Sequence, residues 1–199
     1  MSTFAIAIFF LLITPGPGVL SLAGVGSAYG YKPGWIYGTG LFFGSNMVLL
    51  AAASGLAALF LADERIRILF TFLSTAYLLY LAAKIAFAGS KIAFIEATKP
   101  PGFWGGIALQ VINPKAYVVG TFVFSNFSIW PDSLLFEIIM KLIVLNAIWI
   151  PIHILWMSAG VTINRLALEY RTQRIINIGM ALAMLLVVGI AMWSTFFGN

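Results

Sequence analysis

The chain has no cysteine, a single histidine and little charge, with 11 Lys plus Arg and 6 Asp plus Glu among 199 residues. Without cysteine there is no disulfide, no thiolate metal site and no thiol redox chemistry. The lone histidine, His153, has no second histidine or carboxylate at ligand spacing, so no metal site is expected. The net charge of +5 is modest, and the Lys and Arg residues form no cluster interleaved with aromatics, which argues against nucleic acid as a partner. No nucleophile–base constellation and no cofactor fingerprint occurs, so neither an enzyme nor a bound cofactor is expected.

What is present is apolar. Hydrophobic residues make up 62% of the chain and charged residues 9%, with a mean hydropathy of +1.03. Soluble domains are about half apolar and about a quarter charged. A bilayer span needs roughly 20 apolar residues, and six stretches qualify: about 4–25, 35–60, 68–88, 103–130, 134–158 and 175–196. Connections are expected at "YGYKPG" (29–34), "LADERIR" (61–67), "GSKIAFIEATKPPG" (89–102), "WPD" (130–132) and "TINRLALEYRTQR" (162–174). The run Phe4 to Ile13 lacks a preceding basic residue and a following small-x-small site, so it reads as a span and not as a signal peptide. With the N-terminus outside, cytoplasmic connections hold Lys32, Lys84, Lys91, Lys99, Arg165, Arg171 and Arg174, against Arg65, Arg67 and Lys141 on the other side. The positive-inside rule then predicts both termini outside.

The long polar break at 89–102 divides the spans three and three, so the two halves insert in opposite directions. "ITPG" (13–16) and "INPK" (112–115) lie 99 residues apart, each about ten residues into the first span of its half. Asn46 and Asn146 lie 100 residues apart, each in the second span of its half. The expected fold is therefore an all-α integral membrane protein: a single membrane domain over 1–199 with six transmembrane helices in two inverted repeats, about 1–92 and 99–199. The first helix of each repeat is expected to break at mid-membrane.

Proline in a helix removes a backbone donor and clashes with a carbonyl one turn earlier. Lipid offers no water to the freed carbonyl, so Pro15 and Pro17 belong where the backbone is buried in protein or lines a wet cavity. Thr and Asn are good N-caps and proline is favoured at the first helical position, so Thr14-Pro15 and Asn113-Pro114 each read as the start of a half-helix. Such starts carry backbone N–H groups and the positive end of a dipole, and two of them meeting would suit a carboxylate. Lys115 is the charged residue expected deep in the membrane, where charge marks function. Glu137 and Lys141 read as an i,i+4 pair on the surface. Gly34, Gly38, Gly40 and Gly44 provide small-residue spacing for close helix packing.

These residues resemble the LysE/RhtB superfamily of amino-acid exporters. The likeness runs through "TPGPGVLSLAGVGSAYGYKPG" (14–34), "AYLLYLAAKIAF" (76–87), "INPKAYVVGTFVFSNF" (112–127) and "INIGMALAMLLVVGIAM" (176–192), nearly the whole chain. The resemblance implies an inner-membrane carrier that exports amino acids or related metabolites, driven by the proton gradient. Many members carry an acidic residue in the second and fifth spans; here Ser45, Asn46 and Asn146 stand in those regions. A site with a lysine and no carboxylate is not suited to dicationic substrates. The expected substrate site comprises Thr14, Pro15, Gly16, Pro17, Gly18, Asn46, Asn113, Pro114, Lys115 and Asn146, with the carboxylate at the half-helix ends and Lys115, and the ammonium at Asn46, Asn146 and exposed carbonyls. His153 is the candidate proton-coupling group, because histidine titrates near neutral pH.

The expected partners are a small amino acid or carboxylate, the surrounding lipid and, as an open option, further copies of the chain. Three other readings compete with an amino-acid exporter. A membrane-embedded enzyme lacks its constellation of reactive groups. An assembly partner that transports nothing has no need of matched helix breaks or an intramembrane lysine. An exporter of another solute remains open, although the lack of cysteine and buried carboxylates disfavours heavy-metal cations.

Overall fold

A computed structural model describes residues 2–14, 16–56, 63–86 and 99–165, and beyond these only 171–172, 174–176, 178–179, 182 and 185–186. Pro15 and nearly all of the expected sixth span therefore lie outside the described residues, as does most of the 89–102 connection. Among the described residues the regular structure is entirely helical: α1 (Ser2–Ile13), α2 (Pro17–Tyr29), α3 (Tyr31–Ala53), α4 (Glu64–Ala86), α5 (Phe103–Val111), α6 (Pro114–Asn126) and α7 (Leu134–Arg165).

Helices α3 and α7 are each long and apolar enough to cross a membrane. Two further spans arise if each bent pair is one crossing: α1 with α2, bent by 52°, and α5 with α6, bent by 63°. Both bends fall at the proline motifs. The apolar part of α4, Ile68–Ala83, is shorter than a full span.

The expected "YGYKPG" connection shrinks to one residue. Gly30 adopts φ 83°, a left-handed conformation that glycine reaches without Cβ strain, and the chain turns there from α2 directly into α3. Pro33 sits in the first turn of α3, where a missing N–H costs little. At its far end, α7 runs through Pro151 and past the expected boundary at residue 158 to Arg165. Asp63 starts α4, its Oδ1 accepting from the backbone N–H groups of Arg65 at 2.8 Å and Ile66 at 3.2 Å, a side-chain N-cap.

Two helix crossings set the site, and glycine permits both. A Cβ at Gly160 of α7 would land on the Ala23 carbonyl of α2, and one at Gly26 would come within 2.8 Å of the Met157 carbonyl. On the other crossing, a Cβ at Gly40 of α3 would land on the Phe103 carbonyl, and one at Gly44 would lie 3.0 Å from Ile107 Cα. At these crossings backbone meets backbone, the mode that small residues allow within a membrane. Tyr37, fully buried, donates to Ser21 Oγ at 3.1 Å and ties α3 to α2.

Glu137 and Lys141 do form the i,i+4 ion pair, at 2.7 Å, but not on the surface: Lys141 is only 2% exposed. Helix α6 ends at Asn126 and leaves orphan carbonyls, and Lys141 Nζ donates to the Phe127 carbonyl just beyond that end. The ammonium also sits 5.2 Å from the centre of the Phe124 ring. A cation at the negative end of the α6 dipole explains its burial.

Candidate functional site

The breaks in the two bent pairs face each other across a cavity of about 70 Å³, room for a handful of water-sized groups. The α5/α6 break follows the expected chemistry. Asn113 precedes Pro114, its Oδ1 accepting from the Lys115 backbone N–H at 3.1 Å. The other break differs. Helix α2 starts at Pro17, with Gly16 as its N-cap in extended backbone and no side chain bonded to the helix start. Thr14, expected as the cap, instead turns back, and its Oγ1 donates to the Phe10 carbonyl at 2.6 Å. The two half-helix starts are thus unequal: α6 is capped by its own asparagine, and α2 has no side-chain cap.

Lys115 links the two breaks. Its Nζ donates to the Thr14 carbonyl at 2.6 Å, at the C-terminal end of α1, where an unpaired carbonyl favours a cation. Residue 16 has to be small for this: a Cβ there would lie 2.9 Å from Lys115 Cδ and 3.0 Å from its Nζ.

The opposite wall is neutral. Gln110, buried one turn before the α5/α6 break, donates through Nε2 to Ser45 Oγ and accepts through Oε1 from Asn113 Nδ2 at 2.9 Å. This chain of bonds ties α3 to the start of α6. His153 and Trp149 complete the wall from α7, their rings stacked at 3.5 Å with 13° between planes.

Of the expected site residues, Thr14, Gly16, Pro17, Gly18, Asn113, Lys115, Asn146 and His153 line the cavity. Pro114 starts α6 without lining it, and Pro15 lies outside the described residues. Asn46 is set back: its amide pairs with that of Asn146, Nδ2 to Oδ1 at 3.1 Å and the reverse at 2.8 Å, and it also donates to the Phe42 carbonyl at 2.9 Å. Successive residues on a helix point about 100° apart, so α3 turns Ser45 and not Asn46 to the cavity. Beside an aliphatic lining that includes Leu12, Leu49 and Val119, the polar and aromatic lining residues that the expected site omits are Gln110, Ser45 and Trp149. A lone glutamine in the apolar run 103–112, one turn before Asn113, is the signal that would have revealed the first of them.

The reciprocal Asn46–Asn146 pair carries a prediction. Cross-helix hydrogen bonds in membranes average roughly 0.6 kcal/mol and reach about 1.7. Asn46→Ala and Asn146→Ala are each expected to cost roughly 1 kcal/mol, and the double variant less than their sum, since each single change orphans the other amide. Unfolding of the purified variants measures this, and strictly additive losses would show that the amides do not act as a pair.

The described residues form apolar helices, two pairs of them broken around a small cavity with a few polar side chains in a largely apolar lining, an arrangement that membrane transporters use. The family model for LysE type translocators matches residues 9–194, and the chain belongs to that family. Among curated proteins it is 28% identical over 175 residues to the cysteine/O-acetylserine efflux protein of Escherichia coli strain K12, covering 88% of this chain and 87% of that one. The proteins of the same name from Escherichia coli O1:K1 / APEC and Shigella flexneri serotype 5b (strain 8401) match with the same identity and coverage. No solved structure matches the chain.

Proposed function

We propose that the chain exports a small neutral amino acid across the inner membrane by alternating access, with the proton gradient as driving force. The observation that carries this reading is the Lys115 ammonium held between two broken helices, on the Thr14 carbonyl and against Gly16. A substrate carboxylate would draw Lys115 off that carbonyl and share it with the uncapped start of α2. The remaining lining is uncharged and largely apolar, with Ser45, Gln110, Asn146 and His153 among its polar side chains, which suits a small zwitterion with a short side chain. A cavity of about 70 Å³ favours a small solute. Cysteine and O-acetylserine, for which the relatives are named, are both small zwitterions.

In this reading the six spans form two inverted repeats, about 1–92 and 99–199, with both termini outside. The two bends at the Thr14–Gly18 and Asn113–Lys115 segments support it, because a site between two broken helices lets one half rock against the other.

Counterflow into proteoliposomes tests the proposal. Preloaded cysteine or O-acetylserine should drive uptake of labelled cysteine, and preloaded lysine should not, since the cavity offers a second cation no carboxylate. Exchange of lysine as fast as of cysteine would overturn the neutral-substrate assignment.

A further inference from the structure

We propose that the bare Nε2 of His153 accepts the substrate's ammonium group, and that substrate and proton exchange at this one lone pair. The inference rests on the reading above that the cavity binds an amino acid. Its starting point is the hydrogen bond between His153 Nδ1 and the Trp149 carbonyl, at 2.9 Å. A carbonyl only accepts, so the proton of this bond sits on Nδ1, and in the neutral ring Nε2 is left as an acceptor. The stacked Trp149 indole fixes the ring, and His153 is 5% exposed.

His153 lines the cavity beside Gly18. A Cβ at Gly18 would make ordinary contact with Nε2, at 3.6 Å, and with Gln110 Nε2, at 3.5 Å, so these groups converge on one spot. The lining oxygens of the other polar side chains on this wall each already accept a hydrogen bond from the protein. Ser45 Oγ accepts from Gln110, Gln110 Oε1 from Asn113 and Asn146 Oδ1 from Asn46. Nε2 has no such donor among the described residues. It is therefore the side-chain acceptor on this wall that no protein donor occupies, and the described lining has no carboxylate.

Among the described residues, the elements packed around His153 bring one charged group to the cavity, Lys115 on α6; α1, α2, α3 and α5 contribute the uncharged Leu12, Gly18, Ser45 and Gln110. An amino acid then spans the cavity with its carboxylate toward Lys115 and its ammonium on Nε2. A proton binding to Nε2 occupies the same lone pair, and an imidazolium cannot accept. Substrate leaves as the proton arrives on the acidic side, and the proton leaves on the other side as the next ammonium takes its place. One proton moves inward for each amino acid moved out, and no carboxylate is required.

Binding of cysteine and of 3-mercaptopropionate, which keeps the carboxylate and thiol but lacks the ammonium, to the purified full-length protein separates the possibilities. Calorimetry runs from neutral pH down to the most acid pH at which the protein stays folded, under reducing conditions. The cysteine Kd should rise by up to about tenfold per pH unit below the titration of His153, while that of 3-mercaptopropionate stays flat. In His153→Gln, whose amide oxygen accepts but does not titrate in this range, the cysteine Kd should also become flat. Superimposable pH profiles for the two ligands in the unaltered protein, or an unchanged slope in His153→Gln, would overturn the histidine assignment and leave the site standing. If neither ligand binds at any pH, the amino-acid site fails and the histidine assignment with it.

Discussion

Lys115→Met is expected to abolish transport while leaving folded protein in the membrane. Methionine keeps the length and apolar stem of lysine, so the packing against Gly16 survives. What is lost is the ammonium. Truncating one partner of a buried, hydrogen-bonded charge pair costs about 2–5 kcal/mol, and roughly 1.4 kcal/mol is tenfold in affinity. Substrate affinity should therefore fall by about 30-fold or more. The loss to the fold is limited to the bond with the Thr14 carbonyl, one charge-assisted hydrogen bond at 2.6 Å, and such a bond has a net worth of about 1.5–3 kcal/mol. Lys115→Arg should not restore full activity. A planar guanidinium is bulkier than an ammonium and would have to fit where the lysine tip already lies close to Gly16. Uptake in proteoliposomes, alongside the yield of monodisperse protein, checks both statements. Normal transport by well-folded Lys115→Met would remove this residue from the site.

The second large effect concerns the crossing of α2 and α7. Gly160→Val is expected to destabilise the protein severely, because its Cβ would fall on the Ala23 carbonyl. Backbone cannot swing aside as a side-chain tip can, so the two helices have to separate. Overpacking a tight interior costs about 1–3 kcal/mol and occasionally more, and a clash with main chain belongs at the upper end. Helix α2 carries Pro17 and Gly18 of the cavity and α7 carries Asn146 and His153, so separation also dismantles the site. Gly38→Ala is the control. Its Cβ would meet Leu22 Cδ1 at 3.4 Å, an ordinary contact with a flexible side chain, and its stability should match that of the unaltered protein. Apparent melting temperatures in detergent distinguish the two variants. Equal values for Gly160→Val and Gly38→Ala would mean that the close α2–α7 approach contributes nothing.

Much of this molecule can be read along the chain. Hydropathy sets the membrane class because a bilayer rewards apolar length wherever it occurs, and the proline motifs set the breaks because the missing N–H is a property of the residue itself. Asn46 and Asn146 stand out in the sequence by their 100-residue spacing, but that they bond each other is a finding of the structure. What the chain alone does not decide is which way each side chain points and what stands opposite it. Thr14 has the chemistry of a cap, yet it bonds back to Phe10 and leaves the cap position to Gly16. Asn46 and Ser45 are adjacent, and only the rotation of α3 against its neighbours puts serine on the cavity and asparagine behind it. Lys141 resembles any surface lysine until the unpaired end of α6 comes to lie beside it. Composition and local backbone chemistry determined the apolar helices and where they break; the tertiary structure decided the cavity, because its lining comes from six helices whose facing residues only close packing brings together.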